Sequence, residues 1–313
     1  MQSQQNSGFS IIPLGVEGGY HDGNLTSYLF TETDSAEYLL LDAGSIFPGL
    51  QMAADKKLLE GKNSTDTYNF IKRDIKACLI THAHLDHITG LSIISAEDSS
   101  KTIYGTQNTL HYIQKNIFNW EIWPNVSDGG VGYALDKYHF TEAKSDSIYK
   151  IANTNLSFQA FPLSHGNNGY PSTAFLINNQ RRYFLFIGDT GADRVEKCNN
   201  LSLLWEAIAP LIINHTLSAM VIECSYSDEK EESKLYGHLT PALLLEELNH
   251  LAEITSPSQQ EDILQGTKIF INHIKPIQGD YEKSLELIRH ELAQHNNLNL
   301  QFYFPVQGEK YEF

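Results

Sequence analysis

Apolar residues in this chain gather into short runs, separated by longer stretches in which they recur every three or four positions. Leu156-Ser157-Phe158-Gln159-Ala160-Phe161 alternates with period two, as a half-buried strand does. Ala77-Cys78-Leu79-Ile80 and the runs at 182–187, 219–223 and 267–272 read as buried strands. Helical spacing places helices near residues 66–73, 106–118, 201–213, 241–251 and 280–295. That rhythm predicts an α/β protein, a sandwich of sheets flanked by helices. No Pro-rich or Gly/Ser linker divides the chain and no internal repeat is visible, so one domain over residues 1–313 is expected. A minimal sandwich has no need of the segment at about 105–150, which carries Ile117, Phe118, Trp120, Ile122, Trp123 and Tyr133. It reads as an aromatic-rich insertion forming a lid, with Gly129-Gly130-Val131-Gly132 as a pliable tip. Its rings suit stacking on a base, contact with a second subunit, or core packing.

Composition narrows the function. At 313 residues and 41% hydrophobic content the chain can bury a large core. The formal charge is −16, and the 105–150 segment sets four Lys against five acidic residues. A surface that grips a polyphosphate is basic, so nucleic acid is not an expected partner. No apolar run approaches the roughly 18 residues of a membrane span, so no membrane partner is expected either. Met1-Gln2-Ser3-Gln4-Gln5-Asn6 has neither the basic start nor the apolar run of an export signal. The favoured compartment is the cytoplasm, or the periplasm if a signal had been removed. Three cysteines, Cys78, Cys198 and Cys224, have no framework spacing and imply no disulfide. The acidic run at 228–232 reads as a solvated loop.

The chemistry concentrates in Thr81-His82-Ala83-His84-Leu85-Asp86-His87, directly after a predicted strand. Side chains alternate along a strand, so His82 and His84 lean toward one point, while Asp86 and His87, past the bend, aim at another. Imidazole and carboxylate donors suit Zn²⁺, Mn²⁺ or Fe²⁺, and two such ions can bracket one hydroxide. Further donors stand at other strand ends: His165 before Gly166, Asp189 in Gly188-Asp189-Thr190-Gly191, and His273 after Asn272. Any one of these alone is more often a satisfied polar residue than a ligand. Glu223, ending a strand, and His238, at the entrance of a helix in Gly237-His238-Leu239-Thr240-Pro241, look like a carboxylate steering a proton donor.

The order HxHxDH, distant His, Gly-Asp-Thr, late His resembles the metallo-β-lactamase superfamily over nearly the whole chain. The resemblance implies an αββα sandwich of two mixed sheets flanked by helices. It assigns one metal to His82, His84 and His165, the other to Asp86, His87 and His273, and the position between them to Asp189. It makes Asp42 a hydrogen-bonding residue beneath the site. The Glu223 and His238 pair resembles that of the phosphodiesterase branch. There, His82-Ala83-His84-Leu85-Asp86-His87-Ile88-Thr89-Gly90-Leu91, Asp22-Gly23-Asn24-Leu25-Thr26-Ser27-Tyr28, Ile122-Trp123-Pro124-Asn125 and Tyr236-Gly237-His238-Leu239-Thr240-Pro241 look like the class II cyclic nucleotide phosphodiesterases. The implied reaction is hydrolysis of 3',5'-cyclic nucleotides, cAMP or cGMP, to 5'-monophosphates by a hydroxide on two divalent transition-metal ions, zinc first. His238, Glu223 and Asp86 form the catalytic set, and Asn24 and Trp123 are candidate substrate contacts. A homodimer is expected from the aromatic segment and the family likeness. The competing readings are a tRNA 3' processing nuclease of the RNase Z kind and an inactive relative that binds a nucleotide. Lactam or thioester hydrolysis ranks below both.

Overall fold

The computed structural model describes residues 8–59, 66–166, 169–256, 264 and 267–313. The start Met1 to Asn6, read above for targeting, lies outside them. Among the described residues there are two seven-stranded sheets. The first contains β1 (Phe9–Gly15), β2 (Ser27–Glu32), β3 (Tyr38–Ala43), β4 (Ile75–Leu79), β5 (Lys101–Gly105) and β6 (Tyr138–Glu142). The second contains β7 (Ile148–Lys150), β8 (Ser157–Ser164), β9 (Pro171–Asn178), β10 (Tyr183–Ile187), β11 (Leu217–Glu223), β12 (Lys268–Asn272) and β13 (Phe302–Tyr303). The last strand, β14 (Tyr311–Glu312), returns to pair with β1, so the orders are β14-β1-β2-β3-β4-β5-β6 and β13-β12-β11-β10-β9-β8-β7. Each sheet is mixed: β3 to β6 run parallel, as do β10 to β13, and the remaining pairs are antiparallel.

Among the described residues eight α-helices accompany the strands: α1 (Phe47–Asp55), α2 (Thr67–Asp74), α3 (Leu85–Ile94), α4 (Gln107–Asn116), α5 (Asp193–Glu196), α6 (Asn200–Ile213), α7 (Pro241–Thr255) and α8 (Tyr281–His295). The five helices expected from periodicity are α2, α4, α6, α7 and α8. Four of them open on a side chain that accepts a first-turn amide, from Asp66, Thr106, Thr240 and Asp280. Periodicity does not pick out α3, whose Leu-Asp-His-Ile-Thr-Gly-Leu-Ser-Ile-Ile is rich in β-branched residues. It forms because Ile88, Leu91 and Ile94 bury against the first sheet.

Burial divides into three layers, as an αββα sandwich requires. Between the sheets lie Phe9, Tyr28, Phe30, Phe158, Phe175, Phe184 and Phe186, with Phe30 stacked on Phe184 at 4.8 Å. The outer face of the first sheet packs on α1 to α4 through Leu40, Leu50, Phe70, Ile88 and Leu110. The outer face of the second packs on α6 to α8 through Met220, Trp205, Leu244 and Ile288. No helix among the described residues is long and apolar enough to cross a membrane. All three cysteines are unpaired, with Cys78 and Cys224 buried.

Most of the 105–150 segment belongs to this framework. It supplies α4, the edge strand β6 and the edge strand β7. Phe118 is buried, and Ile117 and Trp123 pack on the same core, which corrects the reading of these three as lid residues. Trp120, Ile122 and Tyr133 remain exposed, and Gly130 and Gly132 adopt positive φ at the tip.

Trp205 sits wholly buried between the second sheet and α7, its indole donating to Glu247. Trp205→Ala should lower the unfolding free energy by about 3–5 kcal/mol, read from urea titration. A loss below about 1 kcal/mol would mean that this layer can collapse around the cavity.

Candidate metal centre

The parallel strands of both sheets end at the same edge of the sandwich, and the chain places a polar residue at nearly every one of those ends. Asp42 is the penultimate residue of β3, and Thr81, His82 and His84 follow β4. Asp86 and His87 occupy the first turn of α3, with His84 as its N-cap. His165 follows β8, Asp189 follows β10, Glu223 closes β11 and His273 follows β12.

His82, His84 and His165 present nitrogens to one point, and a carboxylate oxygen of Asp86 with nitrogens of His87 and His273 faces a second; within each triad the donor atoms lie within 4.8 Å of one another. Asp189 Oδ2 stands between them, 3.1 Å from His273 Nε2, 3.4 Å from His87 Nε2, and 3.8 Å from both His82 Nε2 and His165 Nε2. The structure thus assembles all seven residues named as metal candidates.

Hydrogen bonds behind the rings decide which nitrogens are free. Asp42 accepts from the Thr81 amide and hydroxyl, each at 2.8 Å, and from His87 Nδ1 at 2.7 Å. With its own proton on Asp42, Thr81 Oγ1 accepts from His82 Nδ1 at 3.0 Å. His165 Nδ1 donates to the Gly237 carbonyl at 2.8 Å. His82, His87 and His165 therefore turn Nε2 inward. His82 Nε2 and His165 Nε2 lie 3.0 and 3.2 Å from His84 Nδ1, so three ring nitrogens converge on one point. His87 Nε2 is buried and makes no hydrogen bond, as an atom reserved for a metal would be. The donor set suits a borderline divalent ion at each triad.

The electrostatics agree with that fit. Burial opposes ionisation of Asp189, but His273 and His87 outweigh it and hold the carboxyl well below its usual range. Burial, with the charge of His87, keeps His82 well below the ordinary histidine value, and burial lowers His84 to about 4. His87 differs: against its burial, Asp189 and Asp42 raise it well above the ordinary histidine value, and a divalent cation would take the place of that proton beside the ionised carboxylate.

Beside the triads lies the Glu223 and His238 pair. His238 Nδ1 donates to Glu223 Oε1 at 2.8 Å, and Glu223 also accepts from the amides of Thr190 and Leu239 and from Ser225 Oγ. Burial lowers His238 to about 3 and raises Glu223 to about 7, with Asp189 adding to the rise. With Nδ1 engaged, Nε2 is the nitrogen left for a ligand.

Of the two candidate substrate contacts, Trp123 stands away from the cluster and Asn24 lies in a loop beside it. Trp123 donates to Ser95 at the C-cap of α3, about 15 Å of helix away from the His motif. Asn24 braces the loop after β1, accepting from the Val16 amide and donating to Glu17. That loop backs His273: a Cβ on Gly18 would come within 2.7 Å of the imidazole. Sequence reasoning misses three residues of the site. Tyr170 stacks on His84 at 4.6 Å and 11°. Thr190 and Ser225 both bind Glu223, and Ser225 shares a face with it at period two, a signal already present in Glu-Cys-Ser.

A family model described as cAMP phosphodiesterases class-II matches residues 9–308. A Yersinia pestis protein named probable 3',5'-cyclic-nucleotide phosphodiesterase is 36% identical, over 99% of this chain and 91% of its own length. The crystal structure of unliganded yeast PDE1 shares the fold with TM-score 0.82 at 22% identity, over 97% of this chain and 99% of that one. The metallo-beta-lactamase fold protein YhfI from Bacillus subtilis matches with TM-score 0.60 at 13% identity, over 98% of this chain and 100% of that one. The sandwich is therefore a metallo-β-lactamase fold, and the chain belongs to the class II cAMP phosphodiesterase family.

Proposed function

We propose that this chain hydrolyses 3',5'-cyclic nucleotides to nucleoside 5'-monophosphates, holding one divalent cation at His82, His84 and His165 and another at Asp86, His87 and His273, with Asp189 shared. The observation that carries this reading is the place of Asp189 Oδ2, within 3.8 Å of ring nitrogens from both triads. The name of the Yersinia pestis relative supplies the substrate class. Imidazole-rich donors favour zinc, with Mn²⁺ or Fe²⁺ as alternatives. Such a pair of cations lowers the pKa of water from ~16 toward ~7 and offsets the charge of a phosphodiester.

The residues around the cations do the proton work. Glu223 fixes the imidazole of His238 through Nδ1 and leaves Nε2 for the oxygen that departs from phosphorus. Since burial disfavours the imidazolium, the acid form arises when an anionic phosphodiester reaches Nε2 and offsets its charge. The proton then passes to the 3' oxygen as its bond to phosphorus breaks. Asp86, the remaining member of the catalytic set, acts as a cation ligand. A tRNA substrate would meet a chain of net charge −16, which disfavours the nuclease reading.

Chromatography of reactions with cAMP, cGMP and a precursor tRNA should show 5'-AMP or 5'-GMP and intact tRNA; cleavage of the tRNA alone would replace this reading with the nuclease. His238→Ala should lower kcat by about 10²–10⁴-fold at unchanged cation content, and undiminished turnover would remove His238 from the mechanism. Elemental analysis should find two transition-metal ions per chain. Chelation should lower the melting temperature, and restoring a cation at about 100 times its Kd should return about 2.7 kcal/mol per site. An apo protein as stable as the loaded one would count against structural coupling of the site. We also assign the exposed Trp120, Ile122, Val131 and Tyr133 to a homodimer contact. Light scattering should then report twice the 35.3 kDa chain mass, and a monomer at all concentrations would exclude the contact.

A further inference from the structure

Ser225 is completely buried, two residues beyond Glu223. Its Oγ lies 2.6 Å from Glu223 Oε2, 3.0 Å from His273 Nδ1, 3.0 Å from the His273 carbonyl oxygen and 3.2 Å from His238 Nδ1. A serine hydroxyl has one proton to give and two lone pairs to offer. The shortest of these contacts is to a carboxylate oxygen, the strongest acceptor present, and it takes the proton. The Nδ1 proton of His238 is already committed to Glu223 Oε1 at 2.8 Å. His273 Nδ1 is left to donate to Ser225 Oγ, which puts its proton on Nδ1 and its lone pair on Nε2. That nitrogen faces Asp86 Oδ2 at 3.3 Å and Asp189 Oδ2 at 3.1 Å. Three electron-rich atoms pointed at one another make a cation site.

We propose that Ser225 is a positioning residue that locks His273 in its cation-binding tautomer and joins that lock to the Glu223 and His238 pair. The other three hydrogen-bonded histidines of the cluster are set independently, by Asp42, Thr81 and the Gly237 carbonyl. Loss of the Ser225 hydroxyl therefore has a directed effect. The His273 proton loses its acceptor at Nδ1 and settles on Nε2, where Asp86 and Asp189 receive it and where it competes with a cation. The His82, His84 and His165 triad has no contact with Ser225 and keeps its affinity. The inference rests on the reading of the cluster as a two-cation hydrolytic site.

The test uses cation-stripped full-length protein as wild type, Ser225→Ala and Ser225→Thr. Each is titrated with Zn²⁺ in a calorimeter, and the His273 tautomer of the stripped protein is read from long-range ¹H–¹⁵N spectra of histidine-labelled samples. Wild type should carry the His273 proton on Nδ1 and bind two Zn²⁺ ions. Ser225→Ala should move that proton to Nε2 and weaken one binding event by about 10–100-fold, leaving the other unchanged. Ser225→Thr, which keeps the hydroxyl, should restore the tautomer and the affinity. Wild-type binding and an unmoved proton in Ser225→Ala would overturn the proposal, as would equal weakening of both events, the mark of general loosening. If Ser225→Ala weakens one event in a protein without cyclic nucleotide hydrolysis, the functional reading fails and the positioning role stands. Active wild-type protein with unchanged Zn²⁺ binding in Ser225→Ala gives the converse.

Discussion

The carboxylate of Asp42 has no exposed surface, and three donors converge on it from two different elements. Two of those donors belong to Thr81, which pins the turn after β4; the third is the ring of His87, one turn into α3. Because Thr81 gives its proton to Asp42, its oxygen is free to take the proton of His82. One buried charge thus fixes the tautomers of histidines in both triads. An ionised carboxylate without partners is very costly in an apolar interior, so these donors and the carboxylate require one another. Asp42 itself takes a positive φ of 50°, a conformation that Asp tolerates better than most residues.

The same logic recurs around the rest of the cluster with different partners. His165 is set by a main-chain carbonyl, His273 by Ser225, and His84, the one exposed histidine of the six donors nearest the triads' mouths, by the flat face of Tyr170. Asp189 and Glu223 are buried acids like Asp42, but they part company in their neighbours. Asp189 is surrounded by imidazoles and stays ionised, whereas Glu223 also feels Asp189 and is raised to about 7. Acidic groups gathered this closely repel one another, and cations joining the cluster would balance it. With cations bound there, the chain's charge of −16 would be no obstacle to a small anionic ligand, whereas a polyanion would meet that charge across a wide surface.

How much of this was legible in the residue order depends on the range of the interaction. The strands at 156–161, 182–187, 219–223 and 267–272 follow from local apolar patterning and recur as β8, β10, β11 and β12, within a residue or two at most ends. The metal candidates were legible because a strand end is a fixed address: His165, Asp189 and His273 each follow an apolar run, and the fold brings those ends to one edge. The helix α3 was not, since its sequence favours strand locally and only tertiary burial of Ile88 and Leu91 makes it helical. The packing of Trp123 was illegible for a related reason. An aromatic residue in a polar segment has no periodicity to show which way it faces, and its partner Ser95 is 28 positions away.

The placement of the histidines leaves little room for substitution behind them, and the reason is steric as well as electrostatic. His273 lies at a positive φ of 59°, rare for a residue with a side chain, and is held there by the Val16 carbonyl on its amide. Gly18 lies against its imidazole so closely that any Cβ would overlap the ring. On the other side of the site Gly237 combines a φ of 80° with a hypothetical Cβ only 1.9 Å from the Gly166 amide nitrogen, which permits its carbonyl to reach His165. These two glycines allow main chain to stand where a side chain would push the rings off their common points. Ring positions at the strand ends are thus enforced from behind by backbone contact and from the side by proton donors, so a donor lost at the back is felt at the front as a changed tautomer rather than as a vacant cavity.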